Sequence, residues 1–121
     1  MVPLHMSRQV LRDSPRVVVF RLAGDVDYLN VQGVEAYFND LLEAEKPRHL
    51  LLDVSGLTFV VTPFLGSLLF WEKELQRRGG RLVLFGARPS IEHPMRVLRL
   101  NRVLTFCPDQ QAALDALPRE G

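Results

Sequence analysis

Hydrophobic residues along the chain follow two patterns, unbroken apolar runs and stripes at helical spacing. The runs at residues 16–23, 49–54 and 81–86 are rich in valine and leucine, which is typical of strands buried on both faces of a sheet. A shorter run at residues 103–106 predicts a last strand, and residues 7–12 fit an edge strand at the front.

Between these runs, apolar positions recur every three or four residues, which predicts amphipathic helices. Asn30 is a plausible N-cap for the first helix, and Pro47 lies beyond its end. Gly79 and Gly80 end the second helix. The predicted helices span residues 30–45, 63–78, 91–100 and 110–117.

This order of elements predicts the α/β class: a single domain with a four- to five-stranded, mostly parallel sheet and four helices. The connections are short, and no internal repeat marks a second domain. We assign the domain to residues 7–118. We treat residues 1–6, which end in a second methionine, as an N-terminal extension that can be disordered.

Composition narrows the classes of function. The 121 residues carry a formal net charge of +1, so we expect no long-range attraction to nucleic acid or to acidic membranes. No apolar stretch is long enough to predict direct membrane insertion, and we expect a cytoplasmic protein. The single cysteine, Cys107, cannot form an internal disulfide.

Three short segments resemble one known family. Residues 24–27 form a glycine, acidic, apolar, aspartate turn after the first long strand, with Asp25 and Asp27 as the acidic positions. Residues 49–59 and 79–84 resemble a central strand and the strand that follows the next helix. In joint spacing these segments resemble the STAS family, whose best-known members are bacterial anti-sigma factor antagonists, and the resemblance covers nearly the whole chain.

The resemblance extends to the loop before the second helix. In that family the loop carries a Ser or Thr that a partner kinase phosphorylates, and Thr62 falls on this position. Leu65 and Gly66 match the family pattern, whereas Val61 replaces Asp, Pro63 replaces Ser and Phe64 replaces Gly.

Thr62 therefore has two interpretations. A Thr followed by Pro is a good N-cap followed by a preferred first helical residue, which needs no kinase. Phosphorylation could be added to that role, because the positive end of the helix dipole would favour the dianion.

The second helix has an apolar stripe that predicts its buried side: Phe64, Leu68, Trp71 and Leu75. Phe70 falls on the opposite, solvated side. A single exposed Phe is common, but Phe70 could also form a small apolar contact surface with its neighbours. That candidate surface comprises Phe64, Gly66, Ser67 and Phe70.

Other chemistry-bearing residues favour structural roles. Asp25 and Asp27, together with Asp53, could in principle act as acid and base or bind a cation, but they fit a strand end and a turn better. His5, His49 and His93 have no second ligand at metal-binding spacing, so we expect surface or boundary positions and no metal or cofactor. Arg88, Arg96, Arg99 and Arg102 form a modest basic cluster that fits a solvated face.

The leading hypothesis is a protein-binding module resembling an anti-sigma factor antagonist, with an anti-sigma factor kinase as one candidate partner. The alternative is a structural subunit, without phosphorylation, of a stress-signalling or lipid-transport complex. An enzyme ranks third, because no nucleophile and base stand at recognisable positions. The sequence is also compatible with a homo-oligomer. Carried over from the resemblance, the predicted partner contacts are Gly24, Asp25, Asp27, Val61, Thr62, Pro63, Phe64, Gly66, Ser67 and Phe70.

Overall fold

The computed structural model describes residues 1–118, and a five-stranded sheet forms its centre. The sheet order follows the chain, and every neighbouring pair is parallel except the first, which is antiparallel. The α/β class and the mostly parallel sheet are thus confirmed. The strands are β1 (His5–Asp13), β2 (Arg16–Val26), β3 (His49–Val60), β4 (Leu82–Phe85) and β5 (Thr105–Cys107).

Four helices cover the two faces of the sheet. The chain forms α1 (Val31–Glu45), α2 (Thr62–Arg77), α3 (Pro89–Val97), a 3₁₀ turn (Leu100–Arg102) and α4 (Gln110–Asp115). The larger core lies between one face and the first three helices. The smaller core packs Ala113 of α4 and the following Leu117 against the other face. Buried leucine and valine therefore line both sides of the central strands, as the unbroken apolar runs predict.

Aromatic side chains pack α1 against α2. Trp71 of α2 stacks on Phe38 of α1 with ring centroids 4.3 Å apart, and Phe64 meets the same indole edge-on at 5.9 Å. Each such pair contributes about 0.5–1.5 kcal/mol beyond the area that it buries. The buried stripe predicted for this helix is confirmed, because Phe64, Leu68, Trp71 and Leu75 are all buried.

A buried carboxylate joins the end of α2 to β4. Glu72 accepts the backbone N–H of Leu82 at 2.9 Å and the Gln76 side-chain amide at 2.9 Å. The Arg81 guanidinium lies 3.6 Å from the same side chain. These contacts satisfy a charge that would otherwise be costly to bury.

Several boundaries differ from the predictions. β2 continues to Val26 instead of ending at residue 23, so Gly24 and Asp25 lie within the strand. β1 begins at His5, and Asp25 N–H donates to the Val2 carbonyl at 3.0 Å, so residues 2–6 pack on the sheet rather than forming a separate extension. β3 continues to Val60 because its second half still pairs with β2. The third helix ends at Val97 instead of residue 100, because Arg99 adopts a left-handed conformation with φ of 61°.

The prediction for the histidines is corrected at one position. His5 and His93 are exposed, but His49 is buried at the start of β3. Its Nδ1 accepts the backbone N–H of Arg81 at 3.1 Å, so the imidazole joins the start of β3 to the residue just before β4.

The parallel strands give the domain two unlike ends. We call the edge at which β2 to β5 begin the amino edge, and the edge at which they end the carboxyl edge. The turn after β2 and the start of α2 lie at the carboxyl edge, because both follow directly on strand ends. None of the helices within residues 1–118 is both long enough and apolar enough to span a bilayer.

Candidate functional site

Residues 24–27, which are the last residues of β2 and the start of the turn after it, depend on a glycine. Gly24 has φ of 102°, which favours glycine, and a Cβ there would lie 2.0 Å from the Pro3 carbonyl oxygen. The chain before β1 therefore packs directly over Gly24. Two bonds join Val2 and Asp25: the Asp25 N–H donates to the Val2 carbonyl, and the Val2 N–H donates to the Asp25 carboxylate, each at 3.0 Å.

The two acidic residues of this turn are engaged locally. The Thr58 hydroxyl donates to the Asp25 carboxylate at 2.5 Å, and this bond, helped by the Val2 amide, lowers the pKa of Asp25. The Asp27 carboxylate accepts the backbone N–H groups of Leu29 and Asn30 at 2.9 and 3.0 Å. These bonds preorganise the turn and leave carboxylate lone pairs for other donors.

The predicted cap of α1 is corrected. Asn30 stands immediately before the helix, but its side chain makes no capping bond to it. The side chain turns back instead: its oxygen accepts from the Asp27 N–H and its amide donates to the Asp25 carbonyl, both at 2.9 Å. Asn30 therefore braces the turn rather than the helix.

The start of α2 is tied to the same turn. Val61 alone separates β3 from α2, and its N–H donates to the Val26 carbonyl at 3.0 Å. Because this bond holds Val61 in extended backbone, Val61 is the N-cap residue and Thr62 begins the helix. The prediction of Thr62 as N-cap is therefore wrong, and no side-chain hydrogen bond caps the helix. The Thr62 side chain is exposed.

The ten predicted contact residues separate into exposed, half-buried and buried groups, and Asp25 and Asp27 form the half-buried group. Thr62, Pro63, Gly66 and Phe70 are exposed, and Phe70 is 61% exposed. Gly24, Val61, Phe64 and Ser67 are buried, so their predicted direct contact is corrected: they support the surface from below. Phe64 belongs to the core because it lies on the apolar stripe of α2.

A shallow groove of about 380 Å³ runs between α1 and α2 beside Phe70. On its floor the Ser67 hydroxyl donates to the Glu35 carboxylate at 2.6 Å. A Cβ on Gly66 would meet no atom within 4 Å, so this side of the groove is open. The groove is lined by Glu35, Asn39, Pro63, Gly66, Ser67, Phe70 and Trp71.

Three exposed apolar residues at the carboxyl edge escaped the sequence prediction. Tyr28 and Leu29 follow Asp27 and are 72% and 89% exposed, and Phe59 near the end of β3 is 52% exposed. Phe59 pairs in register with Asp25, so it lies beside the turn. The exposure of Tyr28 and Leu29 could have been suspected from the sequence. Turns favour small and polar residues, so two consecutive large apolar residues in a turn are unusual and indicate a contact surface.

The other candidate chemistry is dispersed. The Asp53 carboxylate lies 2.7 Å from the Arg21 guanidinium and accepts from the Ser55 hydroxyl at 2.6 Å. No group of three or more His, Cys, Asp or Glu within residues 1–118 could hold a metal ion. Cys107 is partly buried; burial, with a smaller contribution from Asp109, raises the pKa of its thiol.

Comparison with protein families finds one match over most of the chain. The model described as "STAS domain" matches residues 8–113. A protein from Paenibacillus polymyxa named anti-sigma F factor antagonist is 21% identical over 101 residues, which cover 84% of this chain and 86% of that protein.

Solved structures share the fold. An anti-sigma factor antagonist from Mycobacterium paratuberculosis has a TM-score of 0.78 at 20% identity, covering 93% of this chain and 94% of its own. The anti-sigma factor antagonist SpoIIAA in its unphosphorylated form has a TM-score of 0.71 at 20% identity, covering 92% and 96%. SpoIIAA has also been solved in a phosphorylated form, which matches with a TM-score of 0.69 at 19% identity and covers 92% and 97%.

Proposed function

The chain belongs to the STAS domain family, and from this membership we propose that it regulates another protein by binding it, in the manner of an anti-sigma factor antagonist. The contact surface is the carboxyl edge, at the turn of residues 24–27 and the start of α2. An anti-sigma factor is the partner class that the named relatives suggest.

The hydrogen bond between Val61 and Val26 carries this proposal, because it joins the two predicted contact segments into one rigid unit. Asp25, Asp27 and Asn30 are braced by bonds within the turn. A surface ordered before binding loses little conformational entropy when the partner arrives, which favours affinity.

Exposed apolar side chains supply the anchors of this surface. Leu29, Phe59 and Phe70 leave most of their area open to solvent, and a partner that covers them gains hydrophobic free energy. The open groove beside Gly66 can accept one side chain of the partner next to Phe70. The Asp27 carboxylate at the rim then contributes to specificity rather than to raw affinity.

Replacement of Phe70 tests the surface. We expect Phe70→Asp to weaken binding to the cognate anti-sigma factor by about thirtyfold or more, the effect of losing a central aromatic anchor. Isothermal titration calorimetry measures the dissociation constant. Gly66→Leu, which fills the groove, should weaken binding as well.

The matched control is Val97→Asp, which also replaces an exposed apolar residue by aspartate. Val97 is the last residue of α3 and lies at the amino edge, away from the proposed surface. It should leave the dissociation constant unchanged. Circular dichroism checks that each variant is folded. If Phe70→Asp bound the anti-sigma factor with wild-type affinity, the assignment of the contact surface would be wrong.

The helix start also supports a second candidate, a structural subunit that is not switched by phosphate. Pro63 has no backbone N–H, and the N–H of Phe64 already donates to the Val61 carbonyl at 3.0 Å. A phosphate on Thr62 would therefore meet fewer first-turn amides than at an ordinary helix N-terminus. This favours permanent association over a phosphorylation switch.

Intact mass spectrometry after incubation with the cognate anti-sigma kinase and ATP separates the two candidates. A switch predicts one added phosphate that disappears in Thr62→Ala. A structural subunit predicts an unmodified mass. A positive control uses the kinase's own antagonist in the same reaction, so that an inactive kinase is not mistaken for an unmodified Thr62.

A further inference from the structure

Basic residues concentrate at the amino edge of the sheet. Four connections meet there, between β1 and β2 and before β3, β4 and β5. Nine of the fifteen Lys and Arg residues in the chain lie in these connections. Three of them are in residues 77–81, and two are in each of residues 12–16, 46–48 and 98–104. Asp13 is the one acidic residue among these twenty positions. The carboxyl-edge connections carry a single cation, Arg88. The net charge of +1 therefore conceals a large difference in charge between the amino edge and the carboxyl edge.

Most of this positive charge is available to a ligand. Within the described part of the chain, Arg12, Lys46, Arg78, Arg99 and Arg102 take part in no ion pair, and all five are exposed. Exposed cations that are close together repel one another, and an anionic surface relieves that repulsion.

One cavity at this edge is itself basic. Its volume is about 340 Å³, and Lys46 and Arg78 line it together with Arg16 and Arg48. Glu43 is the one acidic residue of its wall. The cavity suits a phosphate-sized anionic group, which several cations could contact at once.

Aliphatic side chains project from the same edge. Val97, Leu98 and Val103 are 64%, 55% and 53% exposed, and they lie within seven residues where the chain turns from α3 into β5. Arg99 and Arg102 lie among them in sequence. The segment thus combines exposed aliphatic groups with unpaired cations.

We propose that the amino edge adsorbs to anionic lipid bilayers. The cations of the four connections contact the headgroups, and Val97, Leu98 and Val103 enter the interface shallowly. The adsorbed domain then presents its carboxyl edge, with Thr62 and Phe70, away from the membrane. This proposal does not rest on the proposed function, because the two surfaces lie at opposite ends of the sheet.

The spread of the charge favours a bilayer over an acidic polypeptide. Strands about 4.8 Å apart place the outermost of the four connections roughly 15–20 Å from each other, which gives a broad edge rather than a groove. A fluid bilayer can bring headgroups to all four connections without a fixed register. Nucleic acid fits less well, because its contact surfaces are polar and its strands stack on aromatic rather than aliphatic groups.

Vesicle co-sedimentation tests the proposal with the full chain. We expect binding to phosphatidylcholine vesicles containing roughly one third phosphatidylglycerol and none to pure phosphatidylcholine. Binding should fall as salt is raised from about 0.1 M to about 1 M, which shortens the screening length from about 10 Å to about 3 Å. Each cation near such a surface is worth about fivefold, so Arg78→Glu should weaken partitioning ~25-fold.

Arg88→Glu makes the same charge change at the carboxyl edge and should leave partitioning unchanged. Lys46→Glu serves as a second variant should Arg78→Glu fail to fold, and Leu98→Ser should weaken partitioning about fivefold through lost apolar contact. Equal binding to both vesicle types, or an equal loss in Arg88→Glu, would overturn the proposal. Absence of binding to the phosphatidylglycerol vesicles would also overturn it, and binding of poly-glutamate or duplex DNA would then identify a different partner for the amino edge.

Discussion

Individual residues at the carboxyl edge are held by contacts between distant parts of the sequence. Thr58 and Asp25 are 33 positions apart, yet their side chains bond at 2.5 Å. Local pattern predicted that the strand stops in a turn at residues 24–27, because glycine and aspartate favour turns. Pairing with β3 instead keeps residues 24–26 in β2. The partners of these side chains could not be predicted, because they depend on the register between β2 and β3 and on the packing of residues 2–4.

Gly24 offers the sharpest test of this turn. Gly24→Ala must hold an alanine at φ of 102° and move the Pro3 carbonyl away from a Cβ that would lie 2.0 Å from it. We expect a loss of about 1–3 kcal/mol in the free energy of unfolding. Urea unfolding followed by circular dichroism measures it.

Gly33 provides the matched control. It lies in the first turn of α1, and a Cβ there would meet no atom within 4 Å. Gly33→Ala should therefore stabilise the domain by about 0.5 kcal/mol, because alanine loses less conformational entropy in a helix. A neutral effect of Gly24→Ala would mean that residues 2–4 do not hold the turn in solution.

Among the secondary-structure elements, periodicity located all five strands and all four helices, and the errors fall at their ends. β3 extends six residues beyond its predicted end, because register pairing with β2 outweighs the glycine and serine in its second half. Phe59 lies in this extension of β3, which pairs with β2, whereas β4 pairs only with residues 50–53. A prediction from apolar runs alone could not detect it, since the run itself ends at Val54.

Glu72 tests how α2 is coupled to the sheet. Glu72→Ala would leave the Leu82 N–H without its acceptor and remove the carboxylate beside Arg81. We expect a loss of about 2–4 kcal/mol in the free energy of unfolding, the range for breaking a buried charged contact. Thermal or urea unfolding measures this loss.

Two comparisons make the Glu72 result specific. Glu72→Gln keeps an oxygen for the Leu82 N–H and should recover a large part of the stability. Lys73→Ala alters the exposed neighbouring position and should change stability by less than about 0.5 kcal/mol. If Glu72→Ala behaved like Lys73→Ala, the carboxylate would not be the link between α2 and β4.

For the whole molecule, the fold class could be predicted from alternating strands and helices, because short connections force neighbouring parallel strands to pair. The distribution of charge between the two edges could not be read from the net charge. It emerges when the topology brings residues 12–16, 46–48, 77–81 and 98–104 to one edge. Of the predicted contact residues, burial removes Gly24, Val61, Phe64 and Ser67 from direct contact, because packing rather than local pattern decides which side chains reach the surface.

The sequential strand order also bears on how the chain can fold. In the order β1-β2-β3-β4-β5, every strand pairs with the one that precedes it in the chain. No later strand must insert between two that have already paired, so loop closures stay short and folding should be rapid for a mostly parallel sheet. During synthesis, each strand leaving the ribosome can join a growing sheet edge already in place.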